Sequence, residues 1–362
     1  MKKSNQPNIT IRSEDKPSVF TLPWFAFFVL TILLAMTLFM VTSQRQLETY
    51  VTDAAPGKIL TASGKRAHYP NKTLEVKSAQ EVWDFFDSSG YTLENLKAGD
   101  IDVPRVFLTR IASDWSANHT ISFKKNLFFR SMLPLVLRSN ELIRQDRDNL
   151  LALWQKHKEG QPLSADDNSW LTDLAKMYRV MGKGGDQQFR PALFRKLLKR
   201  VDEIPVSMAL AQTAYESAYA TSRFAGEGNS LFGQWRWGSG LTPKGQRTGM
   251  GDYRIADFDT PLQSAISFAN NLNTNKAYRE FRDLRARLRA KETHLSGHAL
   301  ASTLIRYSEK GEYYVRTVQA IIKANNLGLF DRTTLGGGTP VSLVPNWDSP
   351  ILPSKVTIAG KK

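Results

Sequence analysis

Hydrophobic residues near the start of the chain form one unbroken block. No charged residue occurs between Lys16 and Arg45, and residues 19–41 read VFTLPWFAFFVLTILLAMTLFMV. Crossing a bilayer as a helix takes about 20 apolar residues. The apolar region of a cleaved signal runs to only about 7–15. The block therefore predicts a retained transmembrane anchor over residues 19–41, with TDAAPG near Ala54 as the alternative of a processing site. Residues 43–75 are polar and aperiodic, as expected of a linker. In SAQEVWDFFDSS a helix is expected, capped by Ser78 with Glu81 answering it.

From Ile121 onward, apolar positions recur at spacings of three and four through SFKKNLFFRSMLPLVLRSNELIRQDRDNLLALWQKHKEG, which predicts a long helix. DDNSWLTDLAKMYRV behind Ser164 and PALFRKLLKRV repeat the pattern, and Pro205 suits the first position of the next helix. Residues 226–253 break it: glycines, tryptophans and alternating residues predict a small hairpin or β-lobe. Helical periodicity then resumes in TPLQSAISFANNLN, AYREFRDLRARLRAKE, HALASTLIRYSEKG and YYVRTVQAIIKANNL. The last stretch is rich in Gly, Pro and Ser and is predicted to be disordered. The expected organisation is a tail over 1–18, an anchor over 19–41, and a linker or small N-terminal extension over 42–104. A mainly α (α+β) domain with one small β-lobe follows over 105–333, then a tail over 334–362.

Charge narrows the partners. The chain of 362 residues carries a formal net charge of +15, which favours an anionic partner such as nucleic acid, an acidic membrane or an acidic envelope polymer. Lys2, Lys3, Arg12 and Lys16 precede the apolar block and only Arg45 directly follows it. The positive-inside rule then leaves the N-terminus cytoplasmic and everything past residue 42 outside, in the periplasm of a bacterium with the inner membrane as anchor. Nucleic acid is not expected as a partner there. The chain has no cysteine, which removes disulfides, thiolate metal sites and a cysteine nucleophile. Its five histidines have no metal spacing, His294 and His298 being four apart without the acid of HExxH. No metal or cofactor is expected.

One acid stands out. From Ile204 to Ser222 the only charged residue is Glu216, and Gln212, Thr213, Tyr219 and Ala220 share its helical face. A carboxyl among apolar and hydroxyl neighbours loses solvation when ionised, so its pKa rises toward the value a general acid needs. The alternatives are a solvated helix face or an ion pair with Arg223.

Downstream residues bear on that choice. AYES at residues 214–217 followed by NSLFG at 229–233 resembles the glucosaminidase domains of glycoside hydrolase family 73, whose helix ALESGWG precedes an NLFG turn and a β-lobe. The resemblance extends over residues 105–330 through LPLVLRSNELI, LAKMYRV, NNLNTNKAYREFR and YSEKGEYY. It implies a lysozyme-like helical fold with a cleft beside the lobe, peptidoglycan glycan strands as substrate, endo-β-N-acetylglucosaminidase activity, and Glu216 as the acid.

The sequence departs from the family at the second carboxylate. Glycoside hydrolysis ordinarily uses two acids, yet Gln234 to Gly251 contain no Asp or Glu. The nearest candidates are Glu227 in the approach loop, then Asp252, Asp257 and Asp259 where the lobe returns to helix, each also explicable as a loop or helix-cap acid, and Asp259 before TPLQ as an N-cap. Otherwise the substrate's acetamido group serves as nucleophile, assisted by a tyrosine. The family's late tyrosine falls on Tyr314 or Tyr313, with Tyr307 nearby, and core packing would explain any of the three equally. Trp235 and Trp237 flank Arg236 and would share one strand face, lining a sugar cleft or closing the lobe's own core. Phe232 and Asn229 of the turn join Tyr307 and Tyr313 as further candidate contacts. Arg282, Arg285 and Arg289 lie along one helix face, either solvated or facing an anionic polymer. A lytic transglycosylase, or a glycan-binding scaffold without activity, remain rival readings.

Overall fold

The computed structural model describes residues 72–112, 114–115, 117, 119–181, 190–237, 239–246, 251–291 and 294–346. The expected cytoplasmic tail, the anchor over 19–41 and the linker up to residue 71 lie outside the described residues. Among the described residues no helix is long and apolar enough to cross a membrane.

Short strands and helices open the described chain: β1 (Lys72–Val76), α1 (Ala79–Ser88), α2 (Leu93–Ala98) and β2 (Val106–Leu108). Ser78 accepts from Glu81 N at the start of α1, as predicted. The Glu81 carboxylate, however, answers the backbone of Lys77 instead of closing the box on Ser78. The long predicted helix is α3 (Ile121–Lys158), with Thr120 accepting from Phe123 N as its cap. Next come α4 (Ala165–Met177), with a full capping box between Ser164 and Asp167, and α5 (Pro191–Arg200), which has proline in its first turn.

The centre of the fold is α6 (Val206–Glu216), in which every residue from Val206 to Ala214 is buried. A helix buried on every side is a core helix, and α6 packs against α3 and against three later elements. These are α10 (Gly297–Ala301), α11 (Glu312–Ala324) and the 3₁₀ turn Leu327–Arg332. A carboxylate from that turn meets the N-termini of both α6 and α10: Asp331 accepts from Ser207 N, Ser207 Oγ and Gly297 N, each at 2.8 Å. Between α6 and α10 lie α7 (Arg223–Gly228), a two-stranded ribbon of β3 (Trp235–Trp237) and β4 (Tyr253–Ile255), then α8 (Pro261–Thr274) and α9 (Arg279–Ala290). The fold is thus mainly helical with a small β-lobe.

The C-terminal expectation is corrected. Residues 341–345 form β5 (Val341–Pro345), the middle strand of a parallel sheet in the order β1-β5-β2. Val341 pairs with both Lys72 and Val106, and Leu343 is fully buried between them. A central strand with two partners satisfies both edges of its backbone, which a Gly/Pro-rich flank does not reveal. The segment read as a linker or extension is accordingly folded from Lys72.

The arginines of α9 are also corrected. Arg285 is fully buried and donates to the carbonyls of Asp202, Glu203 and Lys199 and to Asn273 Oδ1. Arg282 is buried and holds the carbonyls of Leu272 and Asn275, while Arg289 pairs with Asp202 and Glu203. The charges of Arg282 and Arg285 are used inside the domain, tying α8 and α9 to the loop before α6, while Arg289 is part-exposed but held by its two carboxylates.

Candidate functional site

Glu216 is the last residue of α6, where the buried helix reaches the surface. Burial pushes its carboxyl up to about 7, while the Tyr314 hydroxyl and the Lys310 ammonium pull the other way. The carbonyl end of its own helix repels a carboxylate and works in the same direction as burial. Burial outweighs the two favourable partners, so the group holds its proton near neutral pH. No second carboxylate contributes to that shift.

Four tyrosines surround the acid. Tyr314 is fully buried; its hydroxyl accepts from Gln212 Nε2 at 3.0 Å and donates to Glu216, so the three groups form a directed chain. Tyr307 stacks on Tyr314 with ring centroids 5.4 Å apart and donates to the Phe232 carbonyl at 3.0 Å. Tyr278 lies beside Tyr307, and Glu216 acts electrostatically on both. Tyr215 meets Tyr314 edge-on and accepts from Lys310 Nζ at 2.7 Å. Between the two sequence candidates for the late tyrosine, the contact with Glu216 belongs to Tyr314. Tyr313 is largely exposed, with Lys310 over its ring.

The NSLFG turn closes over the acid. Asn229 ends α7 in the left-handed region at φ 50° and donates to the carbonyls of Phe258 and Asp259. Thr213 of α6 donates to the Leu231 carbonyl, and Ser264 Oγ receives Leu231 N. Phe232 is buried face to face with Phe268, the ring centroids 4.0 Å apart. Gly233 follows at φ 59°, where a β-carbon would stand 2.9 Å from Glu216 Oε2. Asn229, Phe232 and Tyr307, expected as substrate contacts, are therefore directed inward and build the wall of the site.

The lobe presents the two tryptophans. Trp235 and Trp237 are 43% and 67% exposed, which leaves aromatic faces open to a ligand. Trp235 is braced from below by Tyr253, with centroids 4.5 Å apart. Large apolar rings left in water on a two-stranded ribbon are unusual for a lobe closing its own core. Gln212, expected on the helical face of Glu216, reaches the acid through Tyr314. Lys310 and Tyr278 lie inside segments that carry the family resemblance, but nothing in their spacing marks them as neighbours of Glu216.

The alternative acids are engaged elsewhere. Asp252 is exposed and bonded to Arg254 at 3.0 Å and to Gln246 at 3.2 Å, which lowers its pKa. Asp257 pairs with Arg236, and Glu227 with Arg223. Asp259 receives Gln263 Nε2, and the cap of α8 is Thr260, not Asp259 as expected from sequence.

Comparison with known proteins agrees with this geometry. Residues 192–327 match the glucosaminidase family, described as mannosyl-glycoprotein endo-beta-N-acetylglucosaminidase. That segment contains the acid, the turn, the lobe and the tyrosines. The chain is 32% identical to Protein bax of Escherichia coli (strain K12) over 203 residues, which is 56% of this chain and 70% of that protein. No solved structure matches. With a relative this similar over that much of its length, and a family match spanning the whole site, the chain belongs to the glucosaminidase family.

Proposed function

We propose that the protein is a peptidoglycan hydrolase that cleaves β-1,4 glycosidic bonds of the glycan strand as an endo-β-N-acetylglucosaminidase, with Glu216 as general acid on a lysozyme-like helical scaffold. The observation that carries this reading is a part-buried carboxyl pushed up to about 7, bonded to a tyrosine hydroxyl and lying against the Gly233 turn that leads into an open aromatic strand. Glu216 gives its proton to the glycosidic oxygen, the bond from that oxygen to C1 breaks, and the leaving sugar departs with a free hydroxyl. The positive charge left on C1 is met by an oxygen nucleophile, and a water molecule completes the product as its proton returns to Glu216.

Because Gln234 to Gly251 carry no acid and Asp252, Asp257 and Glu227 are each paired with an arginine, the nucleophile in this reading is the acetamido oxygen of the substrate itself. Tyr314 then orients the acid, and Trp235 and Trp237 take the flat faces of sugar rings. The same observation supports a second reading, a lytic transglycosylase, in which a sugar hydroxyl attacks C1 and no second acid is needed. In both readings the apolar block over residues 19–41 holds the domain at the outer face of a bacterial inner membrane.

The test is digestion of purified peptidoglycan followed by mass spectrometry. Reducing N-acetylglucosamine ends support the hydrolase and anhydro-muramyl ends the transglycosylase. Glu216→Gln is expected to abolish either product; undiminished turnover by that variant would remove Glu216 as the acid. Absence of turnover by the unaltered protein on any peptidoglycan would favour a glycan-binding scaffold.

A further inference from the structure

The backbone just beyond Glu216 takes an unusual path. Ala218, Tyr219 and Ala220 are all left-handed, with φ of 50°, 57° and 63°. A residue with a β-carbon is disfavoured there because that carbon crowds the following carbonyl, and a run of such residues persists only where surrounding contacts impose it. Some of those contacts are local. Ser217 Oγ donates to the Thr213 carbonyl at 2.6 Å and accepts from Ala220 N at 2.9 Å, and Tyr219 N donates to the Ala214 carbonyl at 2.9 Å.

The remaining contacts come from far along the chain and converge on Tyr219. Trp115, only 2% exposed, donates its indole N–H to the Tyr219 carbonyl at 2.9 Å. Phe128 and Phe129 of α3 meet the Tyr219 ring edge-on, and the Asn325 side chain bonds its hydroxyl. Trp115 is itself secured. Both carboxylate oxygens of its neighbour Asp114 receive Ala79 N at the start of α1. In turn α1 is bound to α3 by Asp87 against the buried Arg130 at 2.6 Å. The folded extension thus continues past residue 104 through Asp114 and Trp115 to the start of α3, and none of it lies within the family match at 192–327.

We infer that Trp115 is a positioning residue for Glu216: through its bond to the Tyr219 carbonyl, the N-terminal extension holds the left-handed turn that ends α6 and so fixes the carboxyl under Gly233. If the turn relaxed toward right-handed geometry, α6 would run on past Glu216. Its last residue would then shift against a turn that leaves 2.9 Å between the Gly233 β-position and Oε2. The extension is on this view part of the reactive unit and not a spacer. The effect on rate rests on the proposed role of Glu216; the effect on where its carboxyl sits does not.

The experiment uses the full chain with Trp115→Phe, which removes the donor and keeps an aromatic ring. Two quantities are read: kcat and KM on peptidoglycan, and the titration of the Glu216 carboxyl by carbon NMR of glutamate-labelled protein, assigned with Glu216→Gln. The expected result is a fall in kcat of about tenfold or more with KM unchanged, together with a displaced Glu216 titration. Adding Ala218→Gly, which accepts the left-handed turn without strain, is expected to restore both. Tyr91→Phe, which removes a bond from the same extension to the Arg130 carbonyl, is expected to change neither. The inference is overturned by an unchanged carboxyl titration in Trp115→Phe, by a loss that Ala218→Gly leaves in place, or by an equal loss in Tyr91→Phe. If Trp115→Phe does not fold, Asp114→Asn, which loosens the same segment from α1, is held to the same outcomes. A Glu216→Gln variant that keeps full activity would count against the acid assignment alone, since the carboxyl titration still decides the role of Trp115.

Discussion

A β-carbon on Gly233 would stand 2.9 Å from Oε2 of Glu216, closer than real side chains approach, and Gly233 is also held at φ 59°. The turn and the acid are therefore fitted to each other: glycine takes the left-handed backbone without strain, and a β-carbon there would push the end of the Glu216 side chain aside. Gly233→Ala is expected to lose about 1–2 kcal/mol of stability through the left-handed backbone. It should lose about 100-fold in kcat, because a carboxyl displaced by about 1 Å no longer meets its target oxygen. Thermal melting and turnover on the same samples separate the two effects. A variant that loses stability but keeps its turnover would show that the acid's placement does not depend on this contact.

The Glu216 carboxyl titrates near 7 when folded and near 4.5 in an ordinary setting, burial being the main cause. A general acid must hold its proton, so activity is expected to fall as pH rises through about 7. Stability follows the same sign. Below about 4.5 both states are protonated; between 4.5 and 7 the unfolded chain has lost a proton that the folded one keeps. Stability from this group thus declines with rising pH across that window and then levels, by roughly 3 kcal/mol in all. Glu216→Gln should flatten that part of the curve and raise the melting temperature at pH 8, measured by calorimetry from pH 4 to 8. An unaltered slope would mean that the carboxyl is better solvated than its surroundings indicate.

Tyr314→Phe removes the hydroxyl that donates to Glu216 and accepts from Gln212, while the ring keeps its stack on Tyr307. The hydroxyl lowers the pKa of the acid, so its loss should move the basic limb of the pH–rate profile upward. Gln212 also loses the acceptor of its Nε2, in a helix segment that is fully buried. A cost of about 1–3 kcal/mol in stability is expected, with kcat falling while KM holds. If the limb instead moves downward, the hydroxyl is not donating to the carboxylate.

Much of this was legible in the sequence because a few residues carry unmixed signals. The lone acid between Ile204 and Ser222 marks a buried helix end, and the three- and four-residue spacing of α3 specifies a helix without help from its surroundings. What failed to show depends on contacts distant along the chain. Arg285 reads as a surface cation in a basic helix, but carbonyls from residues 199–203 and the side chain of Asn273 make it a core residue. Val341–Pro345 reads as the start of a loose tail, yet two strands from the other end of the domain pair with it. Phe232 reads either as the anchor of its turn or as a sugar contact, and Phe268 stacked on its face decides for the anchor. In each case a partner more than 25 positions away decides the outcome, and local pattern does not encode the partner.

Asp146 offers a test of the core that is independent of the site. It lies on α3, is 3% exposed, and its Oδ2 has no hydrogen-bond partner. Burial pushes its carboxyl up to about 8. The cation beside it in sequence, Arg147, is occupied by the carbonyls of Leu198 and Val201, and the nearby buried Arg285 is engaged with Asp202. The folded state holds a proton from about pH 4 to about pH 8 that the unfolded chain has released, so this group also lowers stability as pH rises. Its window extends above that of Glu216, so the slope it causes should persist from about pH 7 to about pH 8. Asp146→Asn keeps the shape and removes the charge, at the cost of a buried amide that must find acceptors. Above pH 8 relief of the charged form outweighs that cost, and a gain of roughly 1–3 kcal/mol is expected. Below pH 4 the amide cost is all that remains, and the variant should be equal or slightly weaker. Urea midpoints at pH 4, 7 and 8.5, taken in a Glu216→Gln background, isolate the effect. A variant that is weaker at every pH would mean that the Asp146 carboxylate is satisfied when ionised and that its burial does not make it a liability.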